Sequence, residues 1–233
     1  MRARNAEFTN RAAIFGCIIG VPFALYSLDH ENGAALLANW LSPKLGMNPD
    51  GLARILFVLA ALLLAVAALI RTWASSYLSA SVVYAPEVKS AWLVAGGPYC
   101  YVRNPLYFAN ILLAIGMGAM MSRSGLALCV AAMTVFCYRL IFREEAELQA
   151  SQGKTYDSYR ALVPRLWPAW RPRVPSTARK PSWSAGLRAE SWYWGFPLAV
   201  LGFAVTLNLG VFFIVTAAGI GSFWFLTRGR KIS

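Results

Sequence analysis

Apolar residues along this chain gather in long runs instead of alternating with charges, the pattern of helices in a bilayer and not of amphipathic core helices or half-buried strands. Residues 12–28 form a short first span interrupted by Pro22, with a kink expected near Phe23. Residues 34–41 are apolar but too few to cross, and are read as lying on the membrane surface. Residues 52–70 are nearly all Leu, Ala, Val, Ile and Phe, the clearest span in the chain, and Arg71 closes it. Residues 106–122 and 125–142 are separated only by Arg123 and Ser124, which predicts a tight antiparallel helical hairpin, with Gly116, Gly118 and Ala119 permitting close packing. Residues 143–162 then turn charged and polar, with Tyr156 and Tyr159 at helical spacing, and predict one helix leaving the membrane. Residues 163–181 hold five prolines and many arginines, an extended basic linker. Residues 192–226 are apolar throughout, long for one span and minimal for two.

Composition strengthens that reading. Of 233 residues, 58% are hydrophobic and only 14% charged, so polar side chains are too few to coat a soluble globule of this size. The formal charge of +12 fits anionic headgroups and the positive-inside bias, and no nucleic-acid partner is expected. The fold class is therefore all-α, a polytopic membrane helical bundle with about five or six transmembrane helices. Its organisation is a first span and outer loop over 1–50, a core over 51–168 containing the hairpin 106–142 and the helix 143–162, a basic linker over 169–190 and a C-terminal hairpin or long span over 191–233.

Basic flanks set the orientation. Arg2, Arg4 and Arg11 place the N-terminus inside, with no small-x-small cleavage motif after Leu28, so the first span reads as retained. Asp29, Glu31 and Asp50 put the next loop outside, Arg71, Lys89 and Arg103 return the chain inside, and Arg123 sits at the outer hairpin tip. Residues 139–188 are then cytoplasmic, and a hairpin turning at residues 208–210 keeps Arg228, Arg230 and Lys231 inside as well. Cys17, Cys129 and Cys137 lie in apolar runs and no Cys-x-x-Cys pair exists; His30 stands alone, so no metal is expected.

Two cytoplasmic segments carry unusual polar groups beside the membrane. The first runs over residues 96–107 and contains Gly96, Gly97, Pro98, Tyr99, Arg103, Asn104, Pro105 and Tyr107. The second begins at Glu144 and Glu145 and continues through Gly153, Tyr156, Tyr159, Val163 and Pro164. Because a two-residue turn joins the helices between them, their other ends must be neighbours. Main-chain N–H groups, a cation, two carboxylates and several tyrosines thus converge on one pocket.

These segments resemble the isoprenylcysteine carboxyl methyltransferase and phospholipid methyltransferase family of integral membrane methyltransferases. The matching pieces are Gly97-Pro98-Tyr99, Arg103-Asn104-Pro105-Leu106-Tyr107, a hairpin, Glu144-Glu145-Ala146-Glu147-Leu148, Gly153-Lys154-Thr155-Tyr156-Asp157-Ser158-Tyr159 and Val163-Pro164, over roughly residues 50–168. Asn104 stands where many members have His, and some 60 residues extend beyond the match. The resemblance implies S-adenosylmethionine as cofactor, bound from the cytoplasmic face, and a lipophilic small molecule or lipid-modified acceptor arriving through the membrane lipids. Gly97, Pro98, Tyr99, Arg103, Asn104, Pro105, Tyr107, Glu144, Glu145 and Tyr156 become candidate cofactor contacts, with Arg103 on the cofactor carboxylate and Glu144 or Glu145 on its amino group or ribose. Arg139 and Glu145 are the candidate catalytic residues, Arg139 as partner of an acceptor carboxylate.

A carboxylate acceptor is favoured because it is already ionised at neutral pH, whereas an amine needs a general base and His30 is expected on the far side. A phospholipid N-methyltransferase remains the alternative, as do an NADPH-dependent sterol-type membrane reductase and a non-enzymatic membrane protein. Against transport, no inverted repeat is visible.

Overall fold

The structure is a computed structural model that describes residues 2–78, 96–176 and 180–227. Helix α4 (Pro49–Tyr77) is its centre. Asn48 caps its start by accepting from the Asp50 N–H at 2.8 Å, Pro49 sits at the first helical position, and no helix breaker follows the Leu/Ala run. Its inward stripe includes Leu64, Ala67, Ala68, Arg71 and Ser75, spaced three and four apart as one helix face requires. Arg71 does not close this helix. It lies within a buried interface, and α4 continues six residues further.

Ahead of α4, α1 (Asn5–Thr9) and α2 (Arg11–Gly20) lead into a 3₁₀ segment over Val21–Ser27, which begins where Pro22 removes a backbone donor. Then α3 (Gly33–Leu45) packs beside α4 and leaves Leu36, Leu37 and Trp40 exposed.

Helices α5 (Pro105–Gly118) and α6 (Arg123–Gln152) form the expected hairpin. Gly116 faces α4, where an added Cβ would lie 2.6 Å from the Leu64 side chain, so the small residue serves the α4–α5 contact. The turn is residues 119–122, not Arg123 and Ser124: Ser122 caps α6 through the Gly125 N–H, and Arg123 is already helical. The loop after the 3₁₀ segment docks here. Asn32 donates to the carbonyls of Ala119 and Met121, Asp29 accepts from the Ser124 N–H at 2.9 Å, and Arg123 pairs with Asp29 and Glu31.

The Ser124 N–H and the Arg123 guanidinium hold Asp29 down at a pKa of about 2, below its ordinary 3.8. A depressed carboxylate stabilises the fold above its unfolded pKa and loses that contribution as pH falls through its folded one. The melting temperature of wild type should therefore exceed that of Asp29→Asn at pH 5, with the gap closing between about pH 4 and pH 2. A gap that persists at pH 2 would remove Asp29 ionisation as the cause.

Helix α6 does not end at the membrane surface. It runs unbroken to Gln152, its charged end supported by an Arg143–Glu147 pair at 2.8 Å, so the expected single helix over 143–162 is two pieces. Gly153, at φ +53°, makes the break, and α7 (Lys154–Leu162) follows.

The described part of the proline-rich stretch, residues 163–176, is outside regular helix and is not a free linker. Its Pro164 carbonyl accepts from the Arg103 N–H, while Ala169 and Arg173 donate main-chain bonds to Tyr101 and Cys100. Helix α8 (Trp183–Ala189) also lies within the expected linker, held where Gly186 meets the α4 backbone; a Cβ there would be 2.5 Å from the Thr72 carbonyl oxygen.

The last apolar run is two helices, α9 (Gly195–Thr206) and α10 (Leu209–Thr227), reversing at Leu207 and Asn208. Gly195 and Gly219 let their backbones cross closely. Arg54 caps α9 by donating to the carbonyls of Ala204 and Val205.

The described residues are helical with no strand, an all-α membrane bundle. Among them α4, α6 and α10 are long and apolar enough to cross a bilayer, and two shorter apolar helical stretches cover Arg11–Ser27 and Pro105–Gly118. Glu87, Lys89, Arg228, Arg230 and Lys231, which bear on orientation, lie outside the described residues.

Candidate active site

At the polar end of the hairpin the two motif segments meet. Gly97 takes φ +58°, and a Cβ there would strike the Tyr77 ring, so this glycine is required by packing on the end of α4. Pro98 opens a 3₁₀ turn over Gly97–Cys100, and the Tyr99 carbonyl accepts from the Tyr159 hydroxyl at 2.7 Å. The turn is thereby fixed to both α4 and α7.

Arg103 follows, with its main chain tied to Pro164 and its side chain only 9% exposed. One Nη is 3.3 Å from Glu145 Oε1, while Nε is buried and has no hydrogen-bond partner among the described residues. Asn104 occupies the N-cap position of α5 and donates to Glu145 Oε1 at 3.2 Å and to the Arg165 carbonyl at 2.9 Å; Pro105 starts the helix. Arg165 Nε donates to Glu145 Oε2 at 3.0 Å, its guanidinium lying over the Phe142 ring. Glu145 is thus held by two guanidiniums and an amide, an arrangement that fixes the carboxylate's position.

Glu144 points elsewhere because consecutive helical residues diverge by roughly 100°. It accepts from the Tyr107 hydroxyl at 2.5 Å, across the hairpin. Tyr156 and Tyr159 form a small buried cluster with Val163. Burial, then the nearby Glu145 charge, pushes the Tyr156 phenol up to about 12, so it is neutral at physiological pH.

A cleft of about 390 Å³ opens beside this cluster, lined among others by Glu145, Gln149, Phe142, Arg160 and Arg165. Gln149 stands one turn beyond Glu145 on the same face, donates to Asp157, and has a buried Oε1 with no hydrogen-bond partner among the described residues. Buried polar atoms are ordinarily satisfied. An acceptor left open on a residue that lines this cleft, one turn from Glu145, marks a place for a polar ligand.

Arg139 is not gathered into this cluster. Its Nη2 donates to both oxygens of Glu7, at 2.9 and 2.7 Å, so the expected acceptor-pairing cation is engaged by the N-terminal helix. His30 adjoins Asp29 at the turn end of the hairpin. Glu145 lies 22 residues further along α6 from Arg123, about 33 Å at 1.5 Å per residue. Among the described residues no group of three or more His, Cys, Asp or Glu stands together as a metal site.

Sequence reasoning missed Arg165 and Gln149. Arg165 directly follows the Val163-Pro164 motif and was within reach of sequence adjacency, and Gln149, four residues from Glu145, was within reach of helical spacing. It also missed a second buried network. Arg71 forms a bidentate pair with Glu190 at 2.6 and 3.1 Å and donates to Asn110 Oδ1 at 2.8 Å, while Ser75 donates to Glu190 at 2.6 Å.

Compared with known proteins, residues 55–155 match the phospholipid methyltransferase family. The chain is 28% identical over 133 residues to the nickel-cobalt-cadmium resistance protein NccN of Alcaligenes xylosoxydans xylosoxydans, covering 56% of this chain and 59% of that protein. It is 26% identical over 144 residues to the cobalt-zinc-cadmium resistance protein CzcN of Cupriavidus metallidurans, covering 60% of this chain and 63% of that protein. The chain therefore spans about three fifths of the length of these relatives. No solved structure matches it. The resemblance to integral membrane methyltransferases read from the motifs holds over the matched stretch, which contains Arg103, Asn104, Tyr107, Glu144, Glu145 and Gln149 but not Tyr156, Tyr159, Arg160 or Arg165.

Proposed function

We propose that this protein is an integral membrane methyltransferase that uses S-adenosylmethionine at the polar end of the α5–α6 hairpin and methylates a lipophilic acceptor. The observation that carries this reading is the Arg103–Glu145–Asn104 cluster, built across the hairpin inside the family-matched stretch, with Arg103 Nε buried and unpaired among the described residues and Glu145 itself lining a cleft. The cofactor's carboxylate suits that open donor, and its ammonium or ribose hydroxyls suit the open Gln149 Oε1. When bound, S-adenosylmethionine supplies an electrophilic methyl group on a sulfonium with a good neutral leaving group.

The chain's own residues then act by binding and orientation. Glu145 fixes the Arg103 guanidinium, Asn104 ties Glu145 to the start of α5, and the Tyr99 and Tyr156 rings keep the surroundings dry. Where an acceptor releases a proton, the Tyr107 phenol oxygen would take it up while passing its own proton along the existing bond to the Glu144 carboxylate, which ends as the proton's holder. Arg143, Arg160, Arg165, Arg171 and Arg173 crowd this end of the molecule, which supports a cytoplasmic orientation for the site.

For the acceptor we favour a carboxylate on a lipophilic molecule, which is ionised at neutral pH and needs charge pairing and not a base. His30, far along the hairpin, offers no imidazole. The Tyr107–Glu144 pair supports the second reading, a phospholipid amine, because it supplies the proton acceptor that an amine requires.

Purified protein incubated with methyl-labelled S-adenosylmethionine and a membrane lipid extract should transfer label to the lipid fraction. Mild alkali should then release it as volatile methanol; alkali-stable label in phospholipid would replace the carboxylate reading by the amine one. Calorimetric titration with S-adenosylhomocysteine and NADPH tests the cofactor, and binding of NADPH alone would overturn the methyltransferase assignment.

A further inference from the structure

The Arg71–Glu190 network lies outside the Arg103–Glu145 cluster, yet it holds the same helix. Along one buried face of α5, Tyr107 and Asn110 are three residues apart: Tyr107 reaches Glu144 on α6, and Asn110 accepts from Arg71 on α4. Glu190, from the segment between α8 and α9, is 0% exposed and grips Arg71 with both carboxylate oxygens. The next residues repeat the attachment. Tyr193 is fully buried, lies 4.8 Å under the Arg71 guanidinium, and donates its hydroxyl to the Ala109 carbonyl of α5 at 2.9 Å. Trp194 Nε1 donates to Thr72 of α4 at 3.1 Å.

These contacts fix α5 against α4 by its side chain at Asn110 and its main chain at Ala109. They do so one turn from Tyr107 and less than two turns from Asn104. A helix that carries two site residues is therefore positioned by a segment that the family match, ending at residue 155, does not include. Tyr99 reports how near the two networks are: burial first, then the charges of Tyr159, Glu144 and Glu190, raise its phenol well above the ordinary value.

We propose that Glu190, acting through Arg71 and Asn110 with Tyr193 beside it, is a positioning residue that sets the register of α5 and hence places Tyr107 and Asn104 for methyl transfer. The C-terminal segment is then part of the working enzyme and not an appendage. This rests on the methyltransferase reading above.

The test uses the full chain in detergent or proteoliposomes, with Glu190→Gln, Asn110→Ala, Tyr193→Phe and, as the conservative variant, Glu190→Asp. Melting temperature, S-adenosylhomocysteine affinity, and kcat and KM for methyl transfer are read for each. Since small misplacements of reacting groups cost up to about a hundredfold, Glu190→Gln should lower kcat by about ten- to a hundredfold with KM and S-adenosylhomocysteine affinity changed less than about threefold. Asn110→Ala and Tyr193→Phe should each lower kcat about three- to tenfold at unchanged melting temperature, and Glu190→Asp should recover part of the Gln loss. Folded variants that keep wild-type kcat would overturn the proposal, whatever happens to their melting temperature. If Glu190→Gln fails to fold, Asn110→Ala and Tyr193→Phe decide alone. A wild type that binds no S-adenosylhomocysteine and transfers no methyl overturns the methyltransferase reading and this inference with it. An active wild type with indifferent variants overturns only the inference.

Discussion

Replacing Arg71 by alanine is expected to destabilise the fold by about 3–5 kcal/mol, the usual consequence of removing one partner of a buried ion pair. The cation answers a carboxylate with no solvent exposure, through two bonds at 2.6 and 3.1 Å, and its removal would leave Glu190 with a neutral partner, the Ser75 hydroxyl, in place of a guanidinium. Coulomb attraction is strong in this apolar interior, but the stranded charge dominates the cost in the mutant. Replacing both partners, as Arg71→Met with Glu190→Leu, removes the stranded charge and should recover most of the loss. Denaturant unfolding in a fixed micelle composition measures both. A single variant within 1 kcal/mol of wild type, or a double variant as unstable as the single, would show that Glu190 is not sustained by Arg71.

That pair also shows where reading the sequence stops. Arg71 directly follows sixteen unbroken apolar residues, 55–70, and an arginine there has the appearance of a helix terminus at the membrane surface. Its partner is 119 residues away, in a stretch whose prolines and arginines have the composition of a linker. Nothing local says that Gly186 lets a short helix press against the α4 backbone and deliver Glu190 to a buried position. The Arg139–Glu7 pair was hidden in the same way, since Glu7 sits on a five-residue helix too short to announce itself by periodicity.

What was readable rested on strong local signals with topological consequences. Apolar run length gave α4 and the α5–α6 hairpin, and the hairpin forces the ends near Arg103 and Glu145 together by topology alone. Motif spacing named both carboxylates. It could not say that Glu145 would face Arg103 and Asn104 while Glu144 faced Tyr107, since their divergence acquires meaning only once α5 is in place.

Arg103 carries the second large expectation. Substituting alanine should weaken S-adenosylhomocysteine binding by about 1.5–3 kcal/mol, the range for a charge-assisted hydrogen bond, or roughly ten- to a hundredfold in Kd. Arg103→Lys separates two roles. A lysine ammonium can still sit near Glu145 Oε1, 3.3 Å from the present Nη, and so preserve that pairing, but it has no second donor in the position of Nε. If the open Nε is what a ligand carboxylate uses, lysine should bind nearly as weakly as alanine while melting close to wild type. If Arg103 serves only to pair with Glu145, lysine should bind like wild type. Glu145 retains Asn104 and Arg165 in either variant, so the carboxylate is not left stranded and a binding loss is not a folding loss in disguise. Calorimetric titration of the three proteins, with melting temperatures measured on the same samples, decides between these outcomes. Wild-type affinity in folded Arg103→Ala would remove the cofactor site from this end of the hairpin.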